Sequence, residues 1–241
     1  MELGFNDAQE IMQGPKNYFG PTLEEFLYRN PRANPSDISD EEKLRMFRNQ
    51  GKYHFFGPDQ WLSVFGNRLF QLGKIPKITW SREQLENPSV KQEHFLFLGI
   101  DRIGKQPLTI AVWRHLFPGP KYPTILYDAS GDETVCQTRW YLMPIDGIGS
   151  HDLSYDEQVK NELPKEYEVP NIVERVTANF LFFILNNRYL DGDSSRVSDC
   201  VKNSLNRPLN EHYWVTGFDP EGIAIGSGDA AFLSLAASRK L

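Results

Sequence analysis

VPNIVERVTANFLFFILNNRYL, residues 169–190, decides how this chain folds. Pro170 suits a first helical position, where a missing N–H costs nothing. Ile172, Val173, Val176, Phe180, Phe183 and Ile184 recur at the spacing of a helical face. From Phe180 to Leu185 the apolar character wraps the whole circumference. A helix that is apolar all round is buried on most sides. The stretch therefore predicts a long buried helix over about 170–190, around which a core is built. It carries no chemistry of its own.

Working outward, both flanks read as a mixture of short helices and strands. Downstream, Asp191-Gly192-Asp193 is a turn and Ser195 to Leu205 reads as a helix. Strands follow at Tyr213 to Phe218, Ile223 to Ile225 and Ala231 to Ala237. The first two are joined by Asp219-Pro220-Glu221-Gly222, in which Pro presets φ and Gly is free to take φ > 0. Upstream, Ser154 and Glu157 have capping-box spacing before a short helix to about Leu163. Strands are predicted at Phe95 to Ile100, Leu108 to Trp113, Thr124 to Ala129 and Thr134 to Met143, the first two forming a hairpin. The last alternates, which places Cys136, Thr138, Trp140 and Leu142 on one face.

Residues 1 to about 90 read as short helices broken by Pro, Gly and Asn. Asp59 is a candidate cap for a helix reaching Leu72. Tyr18-Phe19-Gly20-Pro21-Thr22 resembles Phe55-Phe56-Gly57-Pro58-Asp59, a repeated way of opening a helix. The fold expected is α+β: a mainly antiparallel sheet (about 94–145 and 213–238) packed on the helix of about 170–190, under a helical, loop-rich N-terminal layer. Residues 1–90 form that layer and 91–241 the α+β core of a single domain, 1–241.

Composition narrows the function classes. Formal net charge is −6, and no basic run exceeds the pair Arg239-Lys240, which argues against a phosphate-backbone binder. The N-terminus has neither a basic nor an apolar targeting region. The longest apolar run is far short of the ~20 residues that a membrane span needs. A soluble, cytoplasmic, acidic protein without nucleic-acid or membrane partners is the expectation. Two cysteines, Cys136 and Cys200, are too few for a disulfide framework or a zinc site.

Candidate chemistry is thin. Cys136, His151 and Asp128 contain the residue types of a nucleophile, a base and an orienting acid, the set a Cys-His hydrolase or transferase requires. Against this, Cys136 shares its face with Trp140 and Leu142, as a buried packing thiol would. Cys200, read on a helix beside Val201, looks equally inert. Asp191, Asp193, Ser195 and Asp199 follow a calcium-loop register, but Arg196 and Lys202 stand where that loop needs Gly and Glu. Asp128, Asp132 and Glu133 form an acidic turn of the kind hairpins carry for turn geometry. His54, His94, His115, His151 and His212 show no metal-binding spacing. No glycine-rich stretch matches a phosphate-binding loop, so neither a metal nor a cofactor is expected.

The chain has 16 Phe, 10 Tyr and 5 Trp, enough for partner anchors as well as a core. The expected function is a binding or assembly subunit without a catalytic site, docking on another protein chain, a second copy or a different one, through Tyr18, Phe19, Tyr53, Phe55 and Phe56. The enzyme using Cys136 is one alternative, and a small-ligand carrier with a pocket between sheet and helix is another.

Overall fold

The computed structural model describes residues 54–66, 74–117, 124–125, 134–150, 152–186, 190, 194–202, 208–215, 218, 222–227 and 233–240. In chain order, β1 (Phe55–Phe56) leads into helix α1 (Pro58–Phe65), followed by α2 (Arg82–Glu86), α3 (Pro88–Glu93) and β2 (His94–Leu98). Next come β3 (Arg102–Ile103), β4 (Gln106–Pro107), α4 (Ile110–Leu116), β5 (Thr124–Ile125) and β6 (Trp140–Pro144). After α5 (Tyr155–Asn161) and β7 (Tyr167–Glu168) comes α6 (Ile172–Asn186), then β8 (Ser195–Lys202) and β9 (Pro208–Val215). The last described elements are β10 (Gly222–Ile223), β11 (Ile225–Ser227), β12 (Ser234–Leu235) and β13 (Ser238–Arg239).

Helices and mixed sheets share the fold. One sheet runs β1-β2-β6, with β1 parallel and β6 antiparallel to β2. A second runs β11-β9-β8-β12, antiparallel except where β12 joins β8. Most strand pairings among the described residues are antiparallel, as expected, and short parallel pairings at β1–β2, β8–β12 and β5–β10 make the sheets mixed. These sheets also draw in residues 55–56 and 195–202, beyond the expected boundaries.

Every residue of α6 is buried. The helix touches β1, β2, β8, β9 and α4. It begins at Ile172, two residues later than Pro170 suggested. Asn171 accepts the Glu174 N–H at 2.8 Å, and Glu174 accepts the Asn171 N–H at 2.9 Å, so Asn171 is the cap and Pro170 precedes it. Phe180 stacks on Trp113 and Phe117 with ring centroids 5.0 and 4.5 Å away, and meets Phe218 edge-on. One contiguous group of buried apolar residues extends from Phe55 to Ala236.

Several expected elements are replaced. Leu108 to Trp113 is not a strand: Thr109 accepts the Val112 N–H and caps α4, whose Ile110, Trp113 and Leu116 are buried at helical spacing. The hairpin is instead the short β3–β4 pair, turned by Gly104 at φ 61°. Ser195 to Lys202 is a strand, so Cys200 lies on no helix, and Leu205 is outside the described residues. Gly57, not Asp59, caps α1, which ends at Phe65. Its other expected residues, Leu69 and Leu72, lie outside the described residues. The strand expected over Thr134 to Met143 starts only at Trp140, and Trp140, Tyr141, Leu142 and Met143 are all buried. Two-sided burial removes the alternation that placed Cys136 on a strand face.

Ser154 and Glu157 do form their capping box, with the Ser154 N–H donating to Glu157 Oε2 at 3.0 Å. No helix of the described residues is long and apolar enough to cross a membrane.

Candidate functional site

Around Cys136, the structure builds a buried polar cluster on the first turns of α6. The first N–H groups of a helix need acceptors, and carboxylates serve best there because the helix dipole favours negative charge. Glu174 fills that role from within the helix, and Asp199 reaches over from β8 to accept the Ile172 N–H at 2.6 Å. Asp199 also accepts from the Thr134 hydroxyl at 3.0 Å. Tyr141 of β6 donates its hydroxyl to Glu174 Oε1 at 2.5 Å. Arg139 lies over the Tyr141 ring, 4.5 Å from its centroid, and its guanidinium reaches Glu168 at 2.7 Å and Glu174 at 3.7 Å. One turn further along α6, Thr177 accepts from the Trp113 indole N–H at 2.8 Å.

Titration in this cluster follows from burial. Glu174 is raised above the ordinary carboxylate range by burial, against the pull of the Tyr141 hydroxyl, the Asn171 N–H and Arg139. Tyr141 is raised by burial, then by the charges of Cys136 and Glu174. For Arg139, burial opposes the charge, but Tyr141, Glu174 and Glu168 outweigh it and hold the guanidinium protonated. Cys136 is only 1% exposed, and burial, followed by the Glu174 charge, pushes its thiol up to about 12. A nucleophilic cysteine needs the opposite setting, a partly exposed thiolate beside positive charge. The residues read as its partners, His151 and Asp128, lie outside the described residues.

A second thiol has the partner the first lacks. Cys200 of β8 and His212 of β9 are opposite residues of the hairpin, and both are partly exposed. Cys200 Sγ lies 3.7 Å from His212 Nε2 and 3.8 Å from Nδ1. His212 Nδ1 is 3.2 Å from the Val197 carbonyl oxygen, which fixes the neutral ring with its proton on Nδ1 and leaves Nε2 as the acceptor. On α5, Tyr155 stacks on the imidazole, with centroids 3.5 Å apart and planes 17° from parallel. Burial lowers His212, and burial together with Asp199 and Asp156 raises Cys200. Reading Ser195 to Leu205 as a helix hid this pair. Reading it as a strand antiparallel to β9 sets the two residues near each other.

Of the expected docking residues, Tyr18, Phe19 and Tyr53 lie outside the described residues. Phe55 and Phe56 are fully buried, which corrects their expected exposure. Phe55 packs on Trp140, and Phe56 meets Trp61 edge-on, because β1 pairs with β2 and turns both rings into the core. Asp191, Asp193, Asp132 and Glu133 are also outside the described residues, while Ser195 is a buried strand residue bonded to Ser234. Among the described residues, no three His, Cys, Asp or Glu side chains are grouped to hold a metal ion. Comparison with protein-family models, curated proteins and solved structures gives no match to this chain.

Proposed function

We propose that the protein is a soluble, cytoplasmic binding or assembly subunit that docks on another protein chain through Tyr18, Phe19 and Tyr53. The observation that supports this is how the buried and half-buried ionisable groups are used. Glu174, Asp199, Tyr141 and Arg139 bond to helix N–H groups and to one another, and Cys136 is sealed beside them. This cluster joins β6, β8 and α6; it offers no thiolate and no open acid. Among the described residues, Leu62 is the only large apolar side chain left well exposed, at 48%. The remaining docking material is the aromatic set of residues 1–53, interleaved with Pro, Gly and Asn. Formal net charge of −6 favours a protein partner over nucleic acid.

The test uses the full chain. Light scattering is expected to give a mass above the 27.8 kDa of one copy, or a partner retained in fixed stoichiometry from the native source. Replacing Tyr18, Phe19 and Tyr53 together with Ser is expected to abolish that association and leave the fold intact by circular dichroism. A clean monomer with no retained partner overturns the reading. Association that survives the triple replacement overturns the assignment of these residues.

A further inference from the structure

No further inference is drawn: the strongest candidate, the polar face of α6 on which Arg175, Asn179 and Asn186 lie buried at helical spacing around Phe182 and its stacked His54, carries nothing, because nothing in the structure shows what covers it.

Discussion

Asn179 sits in the middle of α6, 1% exposed, and its side-chain oxygen has no hydrogen-bond partner among the described residues. A buried acceptor left unpaired costs about 1–3 kcal/mol. Asn179→Leu keeps the approximate volume and removes that cost, so the denaturation midpoint is expected to rise by the equivalent of about 1 kcal/mol at unchanged slope. A fall would show that the amide has a partner the fold depends on. Its neighbour Phe180 sits at the opposite extreme, with no exposure and three aromatic partners. Phe180→Ala is expected to cost about 3–5 kcal/mol in the same measurement. A loss below about 1 kcal/mol would mean that the site collapses around the cavity. Phe180 was legible in the sequence because an apolar run leaves it nowhere else to go. The orphaned amide was not, since only the surrounding fold decides whether a polar group finds a partner.

At the scale of elements, local signals and tertiary pairing diverge. The helix after Asn171 and the Ser154 cap could be read from sequence because both depend on residues a few positions apart. Leu108 to Trp113 and Ser195 to Leu205 were each assigned the opposite state, for two different reasons. Thr109 outweighed β-forming Val112 and Trp113 in the first, and pairing with β9 outweighed helical spacing in the second. The Cys200–His212 pair was lost with that second reading, because it exists only across a hairpin with a shifted register. His94 shows another tie between distant elements. It opens β2, its Nε2 lies 2.7 Å from the Tyr167 hydroxyl on β7, and Arg239 of β13 lies over the Tyr167 ring. Burial holds its pKa down at about 4, with Arg239 adding to the fall and the Ser89 backbone opposing it. The unfolded chain, with an ordinary value of 6.5, binds a proton the folded chain refuses. Stability from this group is therefore complete above pH 6.5 and lost as pH falls toward 4, by up to about 3 kcal/mol. Glu174, held above its ordinary value, works in the opposite sense and is relieved on protonation. The stability difference between the unsubstituted chain and His94→Gln is therefore the quantity to follow, and it should shrink between pH 6.5 and 4. A difference that does not change with pH would remove His94 from the acid response.

For the whole molecule, the two cysteines are reporters placed at different depths. Cys136 belongs to the contiguous core from Phe55 to Ala236, whereas Cys200 lies on a partly exposed strand position. Reagents reach a sealed thiol only when its surroundings open, and how far they must open depends on what covers it. Cys136 is covered by the cluster that joins β6, β8 and α6, so a small opening of one loop does not free it. In native conditions iodoacetamide is therefore expected to label Cys200 and spare Cys136; in strong denaturant both are labelled. With rising denaturant below the unfolding midpoint, the Cys136 labelling rate should climb with the full slope of global unfolding, because the cluster has to come apart as a unit. Asn179→Leu should slow that labelling and Phe180→Ala should speed it, each by the factor its stability change sets. A Cys136 rate that is insensitive to denaturant and to both substitutions would show that the thiol is exposed by a local fluctuation. The cluster on α6 would then be a separable piece of the fold, and the packing of β6 and β8 against that helix would not be what holds the core together.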